Sequence, residues 1–202
     1  MKRSARYLVF GAAILVVMLA VIYAAAVGRP HAFSGTEYLP LKQAPEIELS
    51  DQTGKPFHLS EQAGNIVLIF YGYTNCPDVC PITLGEFKQI KAGLGDDADR
   101  VRFVFITVDP ERDTREVLEK HISRFDPTFL ALTGEPAELE PVYKAYGVYH
   151  EKVDLENGQG YMMNHSGHTY VIDLNGNLRM TYAFGSDTED MTEDIKHLLR
   201  EN

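Results

Sequence analysis

The sequence predicts an α/β sandwich built on a central mixed β-sheet, preceded by one N-terminal transmembrane helix. Three observations carry this. The apolar runs 66–73 and 101–108 are rich in β-branched and aromatic residues and read as strands buried on both faces. Segments with helical spacing follow each run, and this βαβα order calls for parallel strands covered by helices. An uncharged stretch from Tyr7 to Val27 precedes both.

That stretch exceeds the roughly 7–15 apolar residues of a cleaved signal peptide and meets the roughly 20 that a helix needs to cross a bilayer. An uncleaved anchor over 7–27 is expected, with Ala24-Ala25-Ala26 as the alternative, a small-residue cleavage site. Lys2, Arg3 and Arg6 place residues 1–6 in the cytoplasm and the rest beyond the membrane. No Arg- and Ser-rich transit peptide comes before, so the expected location is a bacterial inner membrane, single-pass, with the C-terminal domain in the periplasm. Residues 28–44, interrupted by Pro30 and Pro40, read as a tether, and 45–202 as one domain. Three of the 19 basic residues lie in the N-terminal flank, against 29 acidic residues overall. So acidic a domain argues against nucleic acid as a partner.

The domain opens with alternating residues at 46–49 and 56–59 around Asp51-Gln52-Thr53-Gly54, the pattern of a hairpin. After the strand at 66–73 comes a helix through Leu84, Phe87, Ile90 and Leu94, with Pro81 suited to its first position. The strand at 101–108 leads to a helix over 114–125 with Thr114 as cap. Residues 129–132 read as a short strand, and 136–146 as a helix closed by Gly147. Asn157-Gly158 centres a hairpin-like insertion over 150–164. A last hairpin, 169–173 and 178–183, turns at Asn175-Gly176, and Asp187 or Thr188 caps a terminal helix through Leu199.

The chain has two cysteines, Cys76 and Cys80, in Tyr73-Thr74-Asn75-Cys76-Pro77-Asp78-Val79-Cys80-Pro81. Thiol or soft-metal chemistry therefore has one place to happen. The Cys-x-x-x-Cys spacing is one residue longer than the redox Cys-x-x-Cys, which favours two thiolates closing on an ion, with thiol-disulfide exchange close behind. A structural disulfide is the bland alternative, but so short a loop removes little unfolded-chain entropy. A proline disfavours helical conformation in the residue before it, which sets Cys80 at or before the helix N-cap. Both sulfurs then lie near free N–H groups and the positive dipole end, which stabilise thiolate.

Two sulfurs do not complete a metal site, and seven histidines compete to join them. His31, His58, His121, His150 and His197 read as ordinary surface or half-buried residues. His165 and His168 precede a core strand. The strand, cysteine turn and helix in this order resemble thioredoxin, where the corresponding loop faces the cysteines. That loop usually carries a cis-proline that clamps substrate peptides; here no proline follows Pro141, which argues against a general disulfide oxidoreductase. Met162 and Met163 offer thioethers but fit strand packing better. Asp78 and Asp109 are candidates for orienting ligands, or are simply turn residues.

Taken together, Cys76-Pro77-Asp78-Val79-Cys80-Pro81, Phe105-Ile106-Thr107-Val108-Asp109-Pro110-Glu111-Arg112-Asp113-Thr114, and His165-Ser166 with Tyr170 five residues on resemble the Sco/SenC family. The resemblance implies a membrane-anchored, thioredoxin-like protein that binds copper and helps assemble the dinuclear copper (CuA) centre of cytochrome c oxidase subunit II. Carried over by position, it makes Cys76, Cys80 and His165 the copper ligands. Two thiolates and an imidazole independently suit Cu(I), and hold Cu(II) if an oxygen ligand joins. Implied partners are subunit II, a periplasmic copper donor and a thiol reductant. The alternative function is a thiol-disulfide reductase that keeps the oxidase cysteines reduced, with Cys76 attacking and Cys80 resolving. A thiol peroxidase is disfavoured because no Arg or Lys adjoins the cysteines to hold a thiolate.

Overall fold

A computed structural model describes residues 3–27, 31–158 and 160–201. Lys2 in the basic flank and Gly28 at the start of the tether lie outside these residues, and the side chains of Arg3, Arg6 and Ala24–Ala26 are likewise outside the description. The chain divides into two compact units, Met1–Ala32 and Phe33–Asn202.

The first unit contains helix α1, Arg3–Val27. The expected transmembrane anchor is corrected here: among the described residues no helix is long and apolar enough to cross a membrane. The described side chains of α1, Tyr7 and 9–23, are exposed and apolar. The single-pass placement in a bacterial inner membrane, with a periplasmic domain, rests on that span and is corrected with it.

The second unit is a thioredoxin-like sandwich. Its strands are β1 (Thr36–Gln43), β2 (Glu48–Asp51), β3 (Pro56–His58), β4 (Ile66–Gly72), β5 (Val101–Thr107), β6 (Leu130–Thr133), β7 (His150–Asp154), β8 (Tyr161–His165), β9 (Thr169–Ile172) and β10 (Asn177–Tyr182). Its helices are α2 (Val79–Leu94), α3 (Arg115–Ile122), α4 (Pro136–Tyr146) and α5 (Thr188–Leu198). Among the described residues, eight strands form one mixed sheet in the order β1-β10-β9-β4-β5-β6-β2-β3, while β7 and β8 pair only with each other. Strands β4, β5 and β6 are parallel and the other pairings antiparallel. One segment differs from its sequence reading: 36–43, taken as tether, pairs with β10. Its outward residues are all exposed, so it has no apolar periodicity to announce a strand.

Every residue of β4 is buried, as the unbroken apolar run requires of a central parallel strand. Its alternation sorts the helices. Phe87 of α2 packs on Phe103, and His121 of α3 on Phe105, so both helices cover one face. This agrees with two successive right-handed crossovers stepping the same way along the sheet. Tyr71 points to the opposite face, against Tyr143 and Tyr146 of α4. The return from β6 to β9, on the far side of β4, brings α4 there.

The loop after β4 is tied down by Asp113, which is fully buried. Its carboxylate accepts the Thr74 N–H at 3.0 Å and hydroxyls from Thr74 and Thr107. Burial pushes its pKa up, against these hydrogen bonds. The start of the cysteine turn is thereby fastened to the end of β5. Asp113→Ala strands buried donors and is expected to lower the unfolding free energy by about 2–3 kcal/mol, seen as a lower urea midpoint at unchanged slope. An unchanged midpoint would remove Asp113 as the anchor.

Candidate metal centre

Helix α2 begins earlier than the proline suggested. It runs from Val79 with Asp78 as N-cap, so Cys80 lies inside the first turn and Pro81 one position later. First-turn N–H groups have no partner within the helix, and a proline there forfeits no hydrogen bond. The Asp78 side chain makes no capping bond. Instead the Cys80 N–H points at the Cys76 sulfur, 3.5 Å away, and the Asp78 N–H also serves that sulfur. Cys76 thus occupies the anion position at a helix N-terminus.

Cys80 is fully buried and Cys76 half-buried, and both are free. Gly72 makes room for the inner sulfur: a Cβ there would lie 2.8 Å from Cys80 Sγ. The two thiols then divide their protons. The hydrogen bond from Cys80, followed by those from the Asp78 and Cys80 N–H groups, overcomes burial and holds Cys76 down at about 3. The hydrogen bond to Cys76, followed by burial, pushes Cys80 far above the ordinary thiol range. The coupling favours the thiolate on Cys76 and the proton on Cys80.

The third donor arrives from the end of β8. His165 Nδ1 lies 3.0 Å from the Ser166 carbonyl oxygen. A carbonyl only accepts, so Nδ1 carries the proton and Nε2 turns its lone pair toward Cys80 Sγ, 3.5 Å away. The ring is set edge-on to Tyr73 and Phe70, at centroid distances of 5.7 and 6.0 Å. Ligand atoms of Cys76, Cys80 and His165 all lie within 4.8 Å of one another. Three neutralisable soft or borderline donors converging on one point, one of them already a thiolate, fit a soft metal ion.

The other candidates fall elsewhere. Among the described residues, His31, His58, His121, His150, His168 and His197 do not join this cluster. His168 is exposed, and His150 lies against Tyr143 and Glu140. Met163 packs against the core, and Met162 faces out. Asp78 contributes its backbone, not its exposed carboxylate. Asp109 bonds Arg112 and Tyr161. Arg112 and Tyr161 were not legible as site residues: Arg112 sat in a motif with no evident partner, and Tyr161 in an insertion.

A mixed sheet with a cysteine pair heading one helix and a histidine supplied from across the fold defines a thioredoxin-like protein equipped to hold a metal ion. A family model described as SCO1/SenC matches residues 38–200, and the chain belongs to that family. It is 37% identical over 152 residues to an SCO2-like protein of Rickettsia prowazekii, covering 75% of this chain and 74% of the relative. With yeast mitochondrial protein SCO2 it shares 32% identity, covering 76% of this chain and 52% of that one. Among solved structures, copper-bound ScoI of Bradyrhizobium japonicum is 38% identical with a TM-score of 0.72, covering 78% of this chain and all of that one. Copper-bound yeast Sco1 gives 28% and 0.72, covering 80% and 90%.

The proton division makes a sharp kinetic prediction. Alkylation of the metal-free native chain should fall on Cys76, with a rate nearly flat from pH 8 to 5, because its thiolate persists well below the ordinary thiol pKa of about 8.5. In urea both cysteines should react with the ordinary profile. Equal native labelling of Cys76 and Cys80, or a rate falling through pH 8, would contradict the assignment.

Proposed function

We propose that this chain is a copper-binding chaperone of the Sco type, whose cargo is held by Cys76, Cys80 and His165 and passed on during assembly of the copper centre of cytochrome c oxidase. The observation that carries the reading is the convergence of two sulfurs and one imidazole nitrogen within 4.8 Å. The copper-bound ScoI and Sco1 relatives support the choice of metal.

The chain's residues divide the work. Cys80 is the fixed, buried donor, and its proton leaves when copper arrives, since a metal-bound thiol is deprotonated. Cys76 is half-buried and already a thiolate, so it is where copper enters and leaves. His165 closes the third side with a lone pair whose direction the Ser166 carbonyl sets. Three donors leave the ion open to an incoming thiolate or imidazole, and stepwise ligand exchange then moves it without releasing it to water. The recipient is the dinuclear CuA centre of oxidase subunit II, loaded in turn from a copper donor protein.

A second reading rests on the opposite protonation of the two thiols. The Cys76 thiolate attacks one sulfur of a partner disulfide, forming a mixed disulfide and releasing a partner thiolate. Cys80 then passes its proton to the released partner thiolate and attacks Cys76 Sγ, which breaks the mixed bond and frees the second partner thiolate. The partner gains two electrons and this chain ends as a Cys76–Cys80 disulfide, to be reduced again by a thiol reductant. Such a step prepares oxidase cysteines for copper and complements delivery.

The reduced wild-type chain should retain one equivalent of copper through desalting. Cys76→Ala and Cys80→Ala should lose it, and His165→Ala should bind at least about tenfold more weakly in competition with a soluble Cu(I) chelator. Wild-type affinity in His165→Ala would overturn the three-donor reading.

A further inference from the structure

The hairpin that delivers His165 is not part of the main sheet, and a lone two-stranded hairpin is only marginally stable in water. Something outside it must hold it in place. Burial alternates along β8: Tyr161, Met163 and His165 turn toward the domain, and Met162 and Asn164 are exposed. Residues two apart share a face, so whatever grips Tyr161 and Met163 also decides where the imidazole points. A slip of one residue would carry His165 to the solvent side.

The grip comes from the loop after β5. The Arg112 guanidinium stacks 3.6 Å from the centre of the Tyr161 ring and lies 5.7 Å from that of Tyr73. Its Nη1 donates to the Tyr161 carbonyl at 2.8 Å, and its Nε donates to the Asp109 carboxylate. The other Asp109 oxygen accepts the Tyr161 hydroxyl at 2.7 Å. Lys152 also lies over the Tyr161 ring, at 3.9 Å, and pairs with Glu111. Tyr73, beneath Arg112, lies beside the Met163 N–H and presents its ring to His165. The chain of contacts runs from Tyr161 through Arg112 and Tyr73 to the imidazole.

We propose that Arg112 and Tyr161 are positioning residues for His165, forming a latch that fixes the β7–β8 hairpin so that the imidazole meets the two sulfurs. The planar fork matters: stacking on two rings while donating along two edges is a geometry that lysine cannot reproduce. The copper arm of the test rests on the ligand reading above; the latch itself is read without metal.

The test uses the reduced, metal-free full chain and its Arg112→Gln, Arg112→Lys, Tyr161→Ala and Tyr161→Phe variants. NMR follows the His165 ring-proton resonance, shifted by Tyr73 and Phe70, and the exchange protection of the Met163 amide. Amides of β4 report that the fold survives. In Arg112→Gln and Tyr161→Ala the His165 resonance should move toward the value of an exposed histidine and Met163 should lose protection, with β4 unchanged. Arg112→Lys should not restore them, and Tyr161→Phe, which keeps the ring, should fall between. Copper affinity should drop about 10- to 100-fold in the same two variants. Wild-type His165 resonance and Met163 protection in both would overturn the latch. Should the resonance move while His165→Ala leaves copper affinity untouched, the latch stands and the ligand reading falls.

Discussion

The sulfur of Cys80 is seated where nothing can shift. It is enclosed between the first turn of α2 and the end of β4, and the absence of a side chain at Gly72 is what admits it. Core packing leaves no slack for displacement, so the other two donors must come to this sulfur. Cys76 does so through the helix N-terminus, where the Cys80 and Asp78 N–H groups hold its charge. His165 does so from a different part of the chain, on a hairpin gripped by Arg112 and Tyr73. The metal centre is thus one rigid donor, one electrostatically poised donor and one delivered donor.

This division accounts for how a single site serves both capture and release. A fully enclosed set of donors would bind copper and keep it, and a fully exposed set would lose it to water and oxidise. Here the buried thiol lies inside the first turn of α2 and the half-buried thiolate in the loop ahead of it. The same asymmetry supports both proposed roles of Cys76, exchange point for copper and attacking thiolate for a disulfide. In the proposed function, delivery and reduction would be two uses of one proton distribution, and copper on the pair would exclude the second use while bound.

Much of the fold was legible because β4 and β5 are unbroken apolar runs and the helices between strands keep their spacing. The clustering of Cys76, Cys80 and His165 was legible because the chain has two cysteines and because the family resemblance singles out His165 of the two histidines that precede a core strand. What escaped has physical reasons. Strand β1 lies exposed at the sheet edge, so hydrophobic pattern could not reveal it. The start of α2 lies two residues earlier than Pro81 suggested, because a proline is tolerated anywhere in a first turn, not only at its first position. Asp109, read either as an orienting residue or as a turn residue, faces Arg112 three positions on and Tyr161 across 52 positions, a contact that no local pattern encodes. The anchor expected from Tyr7 to Val27 rested on hydropathy alone, and no helix among the described residues meets the length and apolarity of a span.

The central claim is that three donors of two kinds share one ion. Copper K-edge X-ray absorption on the reduced chain loaded with one equivalent of Cu(I) reads this directly. Two sulfur scatterers and one imidazole nitrogen, with the outer-shell pattern of the ring disappearing in His165→Ala, is the result expected. Sulfur alone in the wild type, or an unaltered spectrum without His165, would contradict it.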